Sequence, residues 1–292
     1  MSKSGKAHSL IKLKKGEFNV PPFFVCDITW SEESILSKIE SNLPNSKYFA
    51  VRSSADNEDS KDTSFAGYFY TAIGVKKQDV FAEVLKVQKS YGETKGSVII
   101  QEFIDSDVAG VMFTKVGENM VVINATTGLC QSVVSGKECD EYLFKKNGSL
   151  VNKTIPIEKS TLLFKDGKII SEKSKKESLN EPKIEQLIKL GAEIHSFFDS
   201  PQDIEWCFKN DTLHVLQSRP ITRDFKVGKE EYFDSANIAE SYSGIVLPLT
   251  CSFAKMVYEQ VYKDLLRMSG VSRKKIEQHS NCLLYTSPSP RD

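Results

Sequence analysis

Apolar positions change their spacing several times along the chain, and each change predicts an element. Leu10, Ile11 and Leu13 begin a short helical stripe. Pro21-Pro22 ends it, because proline lacks an amide proton and disfavours helix in the residue before it. Phe23-Phe24-Val25 continues as an extended segment. Residues 48–54, Tyr-Phe-Ala-Val-Arg-Ser-Ser, predict a short buried strand that runs into an acidic, polar loop from Ala55 to Thr63. Val80, Val84, Val87 and Tyr91 fall on one face of a helix over 79–91. Strand-like runs follow at 97–103, 108–114 and 119–124.

Residues 145–181 are rich in Lys and Ser, with Gly148 and Gly167 in turn contexts, and predict exposed hairpins and a loop. Pro182 opens a helix that turns Ile184, Leu187, Ile188 and Ile194 inward. Residues 203–219 form a hairpin, and 253–268 a further amphipathic helix carrying Phe253, Met256, Val257, Val261, Leu265 and Met268. Strands mixed with helices, without regular βαβ spacing, predict an α+β fold rather than a doubly wound sheet. The 292 residues suffice for about two domains.

Charge narrows the function. Lys+Arg and Asp+Glu both number 39, so the formal net charge is zero, which argues against a protein that coats nucleic acid or an anionic membrane. No apolar run reaches the roughly 18 residues of a spanning helix, and no secretory leader is visible, so a cytoplasmic location is expected. Six cysteines at irregular spacing, none in a CxxC pair, read as reduced thiols rather than a zinc site or disulfide framework. Four Asn-x-Ser/Thr sequons, at Asn124, Asn147, Asn152 and Asn210, then read as chance. The final string, Cys282 to Asp292, resembles a translated sequencing adapter and is set aside as a non-biological tail, with the natural chain expected to continue beyond residue 281.

Walker A and G-x-G-x-x-G loops are both lacking, so a nucleotide would need another architecture. Four segments place polar residues at the ends of elements. Gly5-Lys6 sets an ammonium at a helix start, where it and backbone N–H groups suit a phosphate; a solvated lysine is the plainer reading. Arg52 ends a buried strand, and its planar fork suits phosphate oxygens or a carboxylate such as Asp59. Gly67, in Ser64-Phe65-Ala66-Gly67, would let backbone approach a ligand. Ile99-Ile100-Gln101-Glu102-Phe103-Ile104 is a core strand whose bend could offer main-chain groups to an adenine edge. In the 203–219 hairpin, a three-residue loop Asn210-Asp211-Thr212 would set Glu205 opposite Gln217 and Asp203 opposite Arg219; a two-residue turn would shift the pairing by one and break it. Paired as described, Glu205 and Gln217 present two oxygens that suit Mg²⁺, with Arg219 one step away for a phosphate; a solvent-facing polar face is the plainer alternative.

In order and spacing, these segments resemble the ATP-binding domain of phosphoenolpyruvate synthase and pyruvate phosphate dikinase, which rifampicin phosphotransferase shares. Further matches are Val20-Pro21-Pro22, Val51-Arg52-Ser53-Ser54-Ala55, Asp105 to Thr114, Ile123-Asn124-Ala125, Asp203-Ile204-Glu205-Trp206 and Gln217-Ser218-Arg219-Pro220. The resemblance covers roughly 4–225 and implies an ATP-grasp-like fold over 1–225, with 226–281 as linker and the start of a helical region. It also implies roles. Lys6, Arg52 and Arg219 would contact phosphates, and Gly67 and Thr71 would lie near the phosphate-covering loop. Gln101, Glu102 and Ile104 would frame adenine, while Glu205 and Gln217 would bind Mg²⁺.

The implied activity is transfer of phosphate from ATP to a histidine on a swivelling domain, and thence to pyruvate or a similar acceptor. Those phosphohistidine and acceptor domains would lie in a C-terminal part that this sequence lacks. A rifampicin phosphotransferase-like enzyme and a non-catalytic ATP-binding scaffold are the alternatives. The family's Gly-Gly-Lys reads Ser4-Gly5-Lys6 here, its Gly-Leu-Gly-Glu reads Gly128-Leu129-Cys130-Gln131, and Tyr68 replaces a frequent Gln. His8, His195, His214 and His279 do not lie in a carrier-histidine context.

Overall fold

The computed structural model describes residues 5–27, 29–55, 70–92, 96–117, 120–221 and 260–278. The chain divides into two units, Met1–Val227 and Gly228–Asp292. In the second, helix runs over 260–268 and again over Arg273–Gln278.

The first unit is α+β and two-lobed, as expected. In chain order it holds α1 (Lys6–Lys15), β1 (Phe23–Cys26), α2 (Glu32–Asn42), β2 (Tyr48–Ala55), β3 (Thr71–Lys76), α3 (Val80–Ser90), β4 (Gly96–Glu102), β5 (Val108–Val116) and β6 (Met120–Thr127). There follow α4 (Gln131–Val134), β7 (Asp140–Lys145), β8 (Leu150–Thr154), β9 (Lys159–Lys165), β10 (Lys168–Ser174), α5 (Glu181–Phe198), β11 (Gln202–Lys209) and β12 (Thr212–Pro220). All pairings are antiparallel. The small sheet runs β1-β4-β2-β3, the large one β12-β11-β5-β6-β7-β8, and β9-β10 is a separate hairpin.

Strand alternation divides the labour of each sheet between its faces. On the small sheet, Phe49, Val51, Val98 and Ile100 join Ile35 and Ile39 of α2 and Val80, Val84 and Val87 of α3 in one core. The opposite face carries Arg52, Ser54, Ile99 and Gln101. On the large sheet, Met112, Ile123, Ile204 and Trp206 pack with Leu187 and Ile194 of α5 in a second core. Its other face carries Asp203, Glu205 and Cys207. Helix α1 adds Leu10 and Leu13, both fully buried, to this second core and reaches the small sheet, where the Ala7 N–H donates to Ser54 Oγ at 3.0 Å. Each such leucine stabilises by about 1.5–3 kcal/mol.

Several elements depart from the sequence pattern as read above, α4 and β7 among them. Helix α2 was not expected, although Ser31 caps it by accepting from Ser34 N–H and Ile35 and Ile39 sit one turn apart in the core. Strand β3 was not expected either. It is only half-buried until Val75, its register with β2 shifts between Val75 and Ala72, and Gly74 there has φ +68, where a Cβ would stand 2.5 Å from the Phe164 ring of β9.

Gly110 shows how closely the large sheet packs. A Cβ there would stand 1.9 Å from the Asn124 carbonyl oxygen and 2.6 Å from a Trp206 ring carbon. Gly110→Ala should therefore lower stability by about 1–3 kcal/mol, through displaced strands rather than a shifted rotamer. A urea midpoint equal to that of the parent chain would contradict this.

Candidate nucleotide site

The site is built outward from the β11–β12 hairpin. Glu205 pairs with Gln217 and Asp203 with Arg219, the arrangement that suited a metal and a phosphate. The route to it is not the expected one. Lys209 pairs with Thr212, so the turn is two residues, Asn210-Asp211, both with positive φ (48 and 60). That turn matches strand twist, yet alone it would misalign the pair. A bulge between Glu205 and Trp206 leaves Leu216 unpaired and restores the register. The bulge has a second consequence: the freed Leu216 carbonyl accepts from Arg52 Nη1 at 3.0 Å.

Arg52 reaches across from the small sheet. Its Nη2 lies 2.5 Å from Glu205 Oε2 and 2.8 Å from Gln217 Oε1. Its carboxylate partner is thus Glu205, 153 positions away, while Asp59 lies outside the described residues. Arg219 forks onto Asp203, with Nε and Nη2 both 2.7 Å from Oδ2.

The electrostatics bring the third cation in. Burial alone would push the Glu205 carboxyl up, but Arg52, then Lys6, and also Arg219 overcome it and hold the group below the usual carboxylate range. Asp203, one pair along the same face, goes the other way: burial raises it despite Arg219. Lys6, Arg52 and Arg219 therefore act on one carboxylate, and two neighbouring acids are pushed apart in acidity, a feature that clusters at functional sites. Lys6 is placed by Gly5, whose φ of 91 suits glycine, at the half-buried first position of α1.

The other expected residues fall around this centre. Thr71 opens β3 and pairs with Arg52. Gln101 shares the Arg52 face of the small sheet and is 2% exposed, with Nε2 lacking a partner among the described residues. Ile104 and Leu216 pack against the cluster that includes Val111 and Cys207, and together these form an apolar floor beside Glu205. Glu102 ends β4, donates its N–H to Pro22 O at 2.8 Å, and lies near enough to His214 to oppose the lowering that burial imposes on that imidazole. Gly67 and Tyr68 lie outside the described residues.

Two residues were not singled out. Asp203 was visible as the partner of Arg219 but given no role. Asn124 lies in the cross-sheet row Gln217–Glu205–Val111–Asn124, and its Oδ1 is buried without a partner among the described residues. Reading the β5–β6 register would have been needed to find it.

Glu205 Oε2 and Gln217 Oε1 converge on one guanidinium nitrogen, so they already define a point of positive charge. One carboxylate and one amide oxygen suit an ion that takes its other ligands from phosphate and water. Among the described residues no group of three or more His, Cys, Asp or Glu side chains forms a closed metal cage. The donor set thus fits a Mg²⁺ that arrives with a polyphosphate.

Comparison with known proteins gives the chain a family. Residues 27–238 match the model of the pyruvate phosphate dikinase AMP/ATP-binding domain. A probable phosphoenolpyruvate synthase of Archaeoglobus fulgidus is 33% identical over 227 residues, covering 68% of this chain and 30% of that protein. A rifampicin phosphotransferase of Bacillus cereus is 30% identical over 238 residues, covering 70% of this chain and 27% of its own. The chain thus spans about a third or less of these relatives. Among solved structures, a D-alanine–D-alanine ligase from Bacillus anthracis superposes with a TM-score of 0.42 at 10% identity, covering 74% of this chain and 56% of that one. Among the described residues, no helix is long and apolar enough to cross a membrane.

Proposed function

Because this chain belongs to the pyruvate phosphate dikinase AMP/ATP-binding domain family, we propose that it binds Mg²⁺-ATP against the Arg52–Glu205–Gln217 centre and delivers the phosphoryl group to a histidine on a further domain. That histidine would pass the group to pyruvate or a similar acceptor, as in a phosphoenolpyruvate synthase. The observation that carries the reading is the Arg52 bridge from the small sheet to Glu205 and Gln217 of the hairpin, with Arg219 on Asp203 beside it.

In this reading the adenine lies on the apolar floor of Val111, Cys207 and Leu216, edged by Gln101, Glu102 and Ile104. Buried Gln101 Nε2 supplies a donor that has no partner among the described residues. Lys6, Arg52 and Arg219 spread over the phosphate oxygens, where charge grows as the terminal phosphoryl group migrates. Thr71 and Gly67 lie towards the phosphate-covering segment. Glu205 and Gln217 would hold Mg²⁺, which supplies charge neutralisation between phosphate oxygens. When ATP arrives, Arg52 gives up part of its hold on Glu205 and Gln217 to phosphate, so the free site keeps its own cation in store. His195 is engaged by Thr114 at 3.0 Å and faces the core around α5, away from this chemistry. The location we propose is cytoplasmic.

A rifamycin acceptor is the alternative that the rifampicin phosphotransferase relative supports. A non-catalytic ATP-binding scaffold is supported by Gln131, an amide where the resemblance expects a carboxylate; it stands exposed at the start of α4.

Mg²⁺-ATP at about a hundred times its Kd should stabilise the chain by about 2.7 kcal/mol and raise Tm by several degrees. Lys6→Ala and Glu205→Ala should each remove that rise. A chain whose melting is indifferent to millimolar Mg²⁺-ATP would leave the proposal without support.

A further inference from the structure

A second concave site lies along the outer edge of β1. It is a cavity of about 480 Å³ between α1 and α2, lined by Phe23, Val25, Trp30, Lys14, Lys15 and Lys38 among others. Strand β1 ends the small sheet, and among the described residues no strand lies beyond it. The floor is therefore a strand edge. Pro22 O accepts from the Glu102 N–H, so the carbonyl of Pro22 faces β4. Antiparallel alternation then turns the N–H and C=O groups of Phe23 and Val25 outward, into the cavity.

Native sheets usually blunt such an edge with a charge on the strand, a proline or a bulge. Phe23–Cys26 is short, at four residues, and follows Pro21-Pro22, yet it carries no charge, proline or bulge of its own, and its register with β4 is regular. The charges stand to the sides instead, as walls. Lys14 and Lys15 rise from α1, which packs on one face of the sheet, and Lys38 from α2, which packs on the other. All three are exposed, and none is in an ion pair among the described residues. Lys14 Nζ hangs 5.7 Å over the Phe23 ring, and Trp30 stacks on Phe24 at 6.4 Å. Each wall thus offers an aromatic surface and at least one ammonium.

We infer that this groove docks an extended acidic peptide segment by strand addition to β1. The segment's backbone would pair with Phe23 and Val25. Neighbouring side chains of an added strand point to opposite faces, so two consecutive acidic residues would meet Lys14 or Lys15 on one side and Lys38 on the other. Flanking apolar residues would cover Phe23 and Trp30. Main-chain pairing supplies affinity in this mode, and the alternate side chains supply selectivity. This site is separate from the nucleotide centre and does not depend on the proposal made for it.

The test uses the full chain and a fluorescein-labelled acetyl-Thr-Val-Glu-Glu-Val-Thr-amide, followed by fluorescence anisotropy. Saturable binding is expected. Lys14→Glu and Lys15→Glu combined with Lys38→Glu should weaken it at least about tenfold, since a like charge now faces each carboxylate. N-methylation of the two Glu amides should weaken it comparably, and the same peptide with Lys-Lys in place of Glu-Glu should not bind. The charge-reversed variant should keep the Tm of the parent, because all its changes are at exposed positions. Absence of saturable binding overturns the inference. So does binding that ignores charge reversal, or that responds to charge but not to N-methylation, which would mark a simple anion patch. Concentration-dependent dimers in sedimentation, abolished by the same reversals, would assign the edge to a second copy and overturn it too.

Discussion

Replacing Lys159 by methionine should lower the unfolding free energy by about 3–5 kcal/mol, the cost of leaving one member of a buried ion pair without its partner. Lys159 is 1% exposed and Asp140 is 0% exposed. Lys159 Nζ donates to Asp140 Oδ2 and, at 2.8 Å, to Ser178 Oγ, while the Ser178 N–H donates to the same carboxylate oxygen at 2.7 Å. Methionine keeps much of the volume and removes the charge, so Asp140 would face an apolar surround with one backbone donor left. Lys159→Met with Asp140→Leu should recover most of the loss, because a well-packed apolar pair commonly replaces a buried ion pair at little cost. Urea denaturation with an unchanged slope checks both statements. A single variant as stable as the parent would show that the pair contributes nothing.

The consequence should extend to the nucleotide site. The pair ties β7 to the start of β9, and the β9–β10 hairpin supports the turn over 128–132. Leu129 N–H donates to Leu162 O at 2.8 Å, and Leu162 N–H to Ser132 Oγ at 3.1 Å. The same hairpin inserts Phe164 between Tyr48 of β2 and Phe103 after β4, at 4.7 and 4.8 Å between ring centroids. It thus touches both lobes. The stabilisation by Mg²⁺-ATP should shrink in Lys159→Met, though position 159 is not among the residues proposed to touch the ligand.

How far the chain itself disclosed this arrangement depends on the range of the interaction concerned. Helix α5 could be read because its signals are local: Asn180 caps it by accepting from Lys183 N–H, Pro182 sits in its first turn, and Leu187 and Ile194 share a face. The pairing of Glu205 with Gln217 could be read because alternation and a hairpin constrain it closely. The turn length was misjudged, since a two-residue turn with a bulge gives the same register as a three-residue loop, and only the backbone distinguishes them. Strand β3 escaped because its alternation is weak and a glycine breaks it. Helix α2 escaped despite a Ser31 cap and an Ile35/Ile39 repeat, which are local signals. The partner of Arg52 could not have been chosen from composition or spacing. Acidic residues follow it closely in the chain, yet its carboxylate comes from the other sheet.

That long-range contact supports the second large effect. Arg52→Gln should weaken Mg²⁺-ATP binding by about 10²–10³-fold, within the roughly 2–5 kcal/mol that truncating one partner of a buried, hydrogen-bonded charge pair costs. Two losses combine. The guanidinium no longer reaches phosphate, and Glu205 loses the strongest of the charges that oppose its burial. The second loss gives a signature that a merely structural role would not produce. In the parent, Glu205 is held below the usual carboxylate range, so it stays ionised through neutral pH. Its contribution, present above the unfolded-state value, is lost only as pH falls through the lowered folded value. In Arg52→Gln burial prevails, the folded value moves up, and binding should weaken already at mildly acidic pH. Calorimetric titration with Mg²⁺-ATP across the acidic to neutral range separates the two. Arg52→Lys, which keeps a charge but not the fork, should fall between parent and Gln in affinity and keep a pH profile nearer the parent. Parallel pH profiles for parent and Arg52→Gln would mean that Arg52 does not set the charge state of Glu205, and the centre proposed to hold the polyphosphate would lose its organising pair.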